Sequence, residues 1–235
     1  MTKNTVINLS LIQDFDLSDK AIFMYGCLAE THRFNASTPV SITILNRNLF
    51  GDDSKRRQTL RRGMDELIAK GLVKEQDKGM GRTPFYDLTM LDTYPKKKYV
   101  IDQYGFISQW KDHHKGLKGS SKCLISLYKI YLTLKWMLDV QKKTSKDKIL
   151  KTYKVTIAKN TGTQRKYVNE KLKFFLDNEI FDYVDVADLT VRGRKAEPTI
   201  YLTDFKNKSE LDYIKALKQE AINDLGFYRC RPIAV

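Results

Sequence analysis

The sequence lacks the features that staple, anchor or equip a chain for catalysis. Its 235 residues hold three cysteines, Cys27, Cys123 and Cys230, odd in number and far apart. With no CxxC and no Cys/His cluster, neither a disulfide framework nor a zinc site is expected. No apolar run approaches the roughly 20 residues of a membrane span. The first twenty residues are broken by acids and lack the apolar stretch of a signal peptide, so a cytoplasmic protein with no membrane contact is expected. Histidine is scarce, and His113 and His114 are adjacent rather than spaced as metal ligands. There is no Walker loop and no Ser/His/Asp set. None of the 13 tyrosines stands out as a nucleophile. Asp182, Asp185 and Asp188 fall in an expected strand and hairpin and read as surface acids rather than an ion site. Gly79 and Gly81 lack the third glycine and the strand-before, helix-after setting of a nucleotide loop, so they read as a hairpin turn. No catalytic residue, metal or cofactor is expected.

What is present in excess is positive charge. The net charge is +14, a balance that favours polyanions. Residues 95–151 carry 14 basic side chains against 4 acidic ones, while the blocks before and after are nearly neutral. Hydrophobic residues at 42% and charged residues at 30% are ordinary globular values, so the basic middle joins folded blocks rather than disordered ones. The length suits one large domain or two small ones.

A repeat organises those blocks. Lys55 to Arg62 places five basic residues in eight positions and leads into a stripe, Leu60, Met64, Leu67 and Ile68, spaced as one face of a helix. The same spacing returns 108 residues later at Val168, Leu172, Phe175 and Leu176. Each helix is expected to follow a glycine and a capping hydroxyl, Gly51 with Ser54 and Gly162 with Thr163. Each ends in an apolar pair, Leu72–Val73 or Ile180–Phe181, that opens a strand. A hairpin with a Gly-Arg tip follows in both, closing on Leu-Thr. Upstream lie a short helix (VSITILNRNLFG; KVTIAKNTG) and a long one (SDKAIFMYGCLAETHRF; SSKCLISLYKIYLTLKWMLDVQ). In the first long helix the buried stripe is Ala21, Ile22, Tyr25, Leu28 and Ala29. Each block therefore reads helix, helix, turn, helix, hairpin, closed over one small core.

TIAKNTGTQRKYVNEKLKFFLDNEIF resembles the winged helix-turn-helix pattern, and the first block matches it with two extra residues in its turn, FGDDSKRR. Two such units in a chain of this size are similar to plasmid and phage replication initiators. The resemblance implies a mainly α fold with small β-hairpin wings (α+β). It divides the chain into a winged-helix domain at 1–94, a basic linker at 95–119, a second winged-helix domain at 120–204 and a C-terminal amphipathic helix and tail at 205–235. It also implies sequence-specific binding of double-stranded DNA at an origin, with host replication proteins and a second copy of the chain as further partners. A transcriptional repressor of a mobile element and a winged-helix protein scaffold are the alternatives.

In such a motif the second helix lies in the major groove. At about 100° per residue, Lys55, Gln58, Thr59 and Arg62 lie opposite the apolar stripe, with Arg61 on the flank. Arg suits guanine, Gln suits adenine, and Thr offers a hydroxyl or a methyl. Arg56 and Arg57, at the helix start, suit phosphates. The resemblance assigns the matching places of the second copy to Thr163, Gln164, Arg165, Lys166, Tyr167 and Asn169. Glu170 on that face either accepts from cytosine or repels phosphate. The wings add Lys78 and Arg82 in the first copy and Arg192, Arg194 and Lys195 in the second. In the tail, Leu211, Ile214, Leu217, Ala221, Ile222 and Leu225 share one stripe. That stripe either packs on the second domain or pairs with another subunit.

Overall fold

The computed structural model describes residues 5–32, 37–76, 83–102, 105–108, 121–145, 148–186, 189–191, 194–195, 199–223 and 227–229. Side chains are described within 5–31, 39–76, 83–102, 105–108, 124–145, 148–186 and 200–220. The fold is mainly helical with small antiparallel sheets. It divides into two compact units, Met1–Leu132 and Thr133–Val235. Among the described residues, no helix is long and apolar enough to cross a membrane.

In the first unit, β1 (Thr5–Asn8) and α1 (Leu9–Asp14) precede α2 (Asp19–His32), β2 (Ser37–Pro39), α3 (Ile42–Phe50) and α4 (Ser54–Ala69). Then come β3 (Lys74–Gln76), β4 (Phe85–Asp87), α5 (Thr89–Thr93) and β5 (Tyr99–Asp102). A helical turn at 106–108 follows. The expected stripe on α2 is buried, but so are Phe23, Met24 and Cys27. A helix apolar on every side belongs at a core's centre, and α2 is covered by α4 on one face and approached by β1 on another. Gly63 of α4 makes the first packing possible, because a Cβ there would run into the Lys20 carbonyl and Met24.

Two pairings in this unit had no local signal in the sequence. β1 pairs antiparallel with β5, bringing Ile7 opposite Val100, both fully buried. Residues 95–119, set apart by charge as a linker, therefore contain a strand whose apolar side chain completes the first core. β2 pairs with β4, and β4 with β3, in the order β2-β4-β3. β2 holds Pro39, which lacks an amide to donate, and it sits at the sheet edge where that is tolerated. The expected strand through Leu88 and Thr89 stops earlier: the Asp87 carboxylate accepts from the Thr89 amide and hydroxyl, and α5 begins there.

The helix α6 (Ser121–Ser145) spans the division between the units. The second unit continues with β6 (Leu150–Tyr153), α7 (Lys154–Thr161), a 3-10 turn (Arg165–Tyr167), α8 (Val168–Asp177) and β7 (Phe181–Asp185). β8 (Leu189–Val191), β9 (Arg194–Lys195) and β10 (Thr199–Asp204) lead to a 3-10 segment (Phe205–Leu211), α9 (Asp212–Asn223) and β11 (Phe227–Arg229). β10 lies between β6 and β7, with Ile200 and Leu202 fully buried. A second sheet, β11-β8-β9, is built from the long hairpin and the tail. Helix, strand, helix, turn, helix and two strands thus occur in the same order in both units. The strand after the first helix is an addition to the order read from sequence.

Charged groups hold the second core from its rim. The Asp204 carboxylate accepts from Lys135 Nζ at 3.1 Å and Lys142 Nζ at 2.6 Å, tying α6 to the end of β10. Burial alone would raise Asp204, but these two ammonium groups hold it below the usual carboxylate range. Asp182 and Asp185 are likewise paired, with Lys215 and Lys154 respectively. Asp188 lies outside the described residues. Lys215 and Lys218 fasten α9 to β7. Of the expected tail stripe, Leu211 is buried and Ile214 half-buried, while Leu217 is exposed. Ala221, Ile222 and Leu225 fall outside the described side chains.

Candidate nucleic-acid interface

The turns that lead into α4 and α8 both hinge on a glycine in the left-handed region, Gly51 at φ 64° and Gly162 at φ 65°. An L side chain at either φ would be strained. In the first turn Asp52 also takes positive φ, 70°, which accommodates the two extra residues. The caps differ from expectation. Asp53, not Ser54, caps α4: its Oδ1 accepts from the Lys55 amide at 2.8 Å and the Arg56 amide at 3.3 Å. A carboxylate also complements the positive end of the helix, an advantage that a hydroxyl lacks. In the second unit Thr163 caps nothing; its amide donates to the Thr161 hydroxyl at 3.3 Å. The chain then makes the 3-10 turn and enters α geometry only at Val168.

On α4 the apolar side faces the core, with Leu60, Met64 and Leu67 buried and Ile68 half-buried. Opposite them Lys55, Gln58 and Arg62 are exposed, Arg61 is exposed on the flank, and Arg57 is exposed at the helix start on the stripe's own side. Thr59 is half-buried and donates its hydroxyl to the Lys55 carbonyl at 3.0 Å. Arg56 leaves this group: its side chain is only 15% exposed and its Nε lies 3.9 Å from Asp53 Oδ2. A pocket of about 280 Å³ sits beside this face, between the first turn of α3, the Arg61–Asp65 stretch of α4 and the approach to β4 at Tyr86.

The second copy is organised likewise but carries less charge. Val168, Leu172 and Phe175 are buried, and Leu176 is half-buried. Gln164, Arg165, Lys166, Tyr167, Asn169 and Glu170 are exposed, and Thr163 is half-buried. Lys166 Nζ stands 4.9 Å from the centre of the Tyr167 ring, a cation–π distance that makes one basic-aromatic tip. Lys78, Arg82 and Arg192 lie outside the described residues. Arg194 and Lys195 form β9, pairing with Val191 and Thr190; their side chains are not described.

The sequence reading missed two features. Ile44 of α3 and Val155 of α7 are 58% and 59% exposed, and each stands seven residues before its turn glycine. Arg47 and Lys159 are also exposed on these two helices. The signal lies in the glycine-anchored alignment of the two copies, which sets Ile44 against Val155. Comparison with protein-family models, with curated proteins and with solved structures finds no match to this chain.

Proposed function

We propose that the two units are winged helix-turn-helix domains and that the chain binds double-stranded DNA in a sequence-specific way. The exposed face of α4 supports this reading most. Lys55, Gln58 and Arg62 share the exposed side of a 16-residue helix whose other side is fixed in the core, with Arg61 exposed on the flank and Arg57 at the helix start. Arg and Gln are the side chains that bond bidentately to guanine and adenine edges, and Lys neutralises phosphate. In each unit the helix that follows the glycine turn is itself followed by antiparallel strands. The biological role that fits two such units and a strongly basic chain is a replication initiator of a plasmid or phage, which binds its origin and recruits host replication proteins. No catalytic step is part of the proposal.

The test is a binding titration of the full chain on duplex DNA across salt concentrations. Counterion release predicts that log affinity falls linearly with log salt, by about 0.9 per phosphate neutralised. A slope near zero would refute DNA binding and leave a protein scaffold. Binding sites in direct repeats beside an AT-rich stretch would support the initiator role; a single inverted repeat over a promoter would indicate a repressor instead.

A further inference from the structure

The first unit contains a pair of acids that serves no part of the proposed interface. Four consecutive amides at the start of the 106–108 turn are held by two carboxylates. Gly105 and Phe106 donate to Asp102, at 3.1 and 2.9 Å. Ile107 and Ser108 donate to Glu30 of α2, at 3.0 and 2.7 Å, and the Ser108 hydroxyl adds a bond at 2.9 Å. The first amides of a helix have no partners within the helix, and here two acids from separate elements supply them. Phe106 stacks on Tyr131 at 4.6 Å, and the Tyr131 hydroxyl donates to Asp102 at 2.9 Å.

The titratable groups facing Glu30 are Asp102 from β5, Tyr128 from α6 and Cys27 on its own helix, and Tyr131 of α6 faces Asp102. Among the described residues no lysine or arginine pairs with Glu30. The Tyr128 hydroxyl is fully buried and has no hydrogen-bond partner among the described residues. Burial first, and Asp102 second, push the Glu30 carboxyl up to about 7, against the pull of its three donors.

We propose that Glu30 and Asp102 form a proton-operated clamp on residues 105–108: with a proton on Glu30 the turn stays docked, and with that proton lost the two carboxylates repel and the turn loosens. The clamp has a visible consequence, because Ile107 and Ser108 form one wall of a pocket of about 260 Å³ that is also lined by Cys27, Leu45 and Leu49. Loosening the turn opens that wall. The sign follows from the direction of the shift. A carboxyl raised in the folded state stabilises it fully below about pH 4.5, and that contribution is lost as pH rises through about 7.

The test is an NMR titration of the full chain between pH 5 and 8.5, following the Glu30 carboxyl carbon and the Ile107 and Ser108 amides. All three are expected to move together with a midpoint near 7, and Glu30→Gln is expected to leave the two amides still. Should Glu30→Gln not fold, Asp102→Asn is expected to lower the Glu30 midpoint by about one unit or more. A Glu30 midpoint near the ordinary carboxylate value would overturn the clamp. So would amides that do not move, or that move equally in Glu30→Gln. Histidines titrating in this window do not mimic the result, since they would shift the amides in both proteins. The outcome is independent of DNA binding.

Discussion

The helices α4 and α8 that follow the glycine turns share a buried stripe and differ in almost everything they present outward. α4 starts from a carboxylate cap and runs 16 residues. Its counterpart α8 runs 10 residues and begins after a 3-10 turn without a side-chain cap. α4 exposes Lys55, Gln58 and Arg62 opposite its stripe, Arg61 on the flank and Arg57 at its start. The second copy exposes Arg165, Lys166 and Tyr167 at a tip, then Asn169 and Glu170. The stripe is kept because each unit must close its core; the outer face is free to diverge because no packing constrains it. On the proposed reading, the first helix supplies most of the phosphate neutralisation and base discrimination, and the second contributes a shorter, weaker contact.

The largest effect expected from breaking this comparison is in the shared stripe. Phe175→Ala removes a fully buried ring that meets Phe181 edge-on. It is expected to cost about 3–5 kcal/mol by chemical denaturation. Next are the outer faces. Arg62→Ala is expected to weaken DNA binding by about 1–3 kcal/mol and to relax preference at one base pair. Asn169→Ala should lose less than Arg62→Ala in the same titration. An equal loss on random DNA would make Arg62 a phosphate contact only. The caps come third. Asp53→Ala is expected to destabilise the first unit by about 0.5–2 kcal/mol, whereas Thr163→Ala should cost less than Asp53→Ala, because its side chain caps no helix. The smallest effect is electrostatic. Glu170→Gln removes a negative charge from the second face and is expected to tighten DNA binding slightly, most clearly at low salt.

What the sequence made legible was what has a period. The stripes at Leu60 and Val168, the hairpins, and the glycines at 51 and 162 each carry a local pattern, and the structure keeps them. The strands β2 and β6 were invisible because three or four residues between helices establish no alternation. The β1–β5 pair was invisible because Ile7 and Val100 are distant in sequence and neither segment signals a partner. The caps were misassigned because sequence spacing does not separate Asp53 from Ser54; only the backbone shows whose side chain meets the first amides. Arg56 was read as a phosphate contact, and nothing in its spacing reveals how near its side chain lies to Asp53. The Glu30–Asp102 clamp escaped notice because it joins residues 72 positions apart.

The measurement that tests the central claim most directly compares salt slopes of duplex binding in two full-length variants. One replaces Lys55, Arg57, Arg61 and Arg62 by alanine, and the other replaces Arg165 and Lys166. The α4 variant is predicted to lose most of the wild-type slope, about 0.9 for each lost phosphate contact, and the second variant a smaller part. A wild-type slope retained in the α4 variant, or a larger loss in the second one, would contradict the assignment of DNA binding to the face of α4.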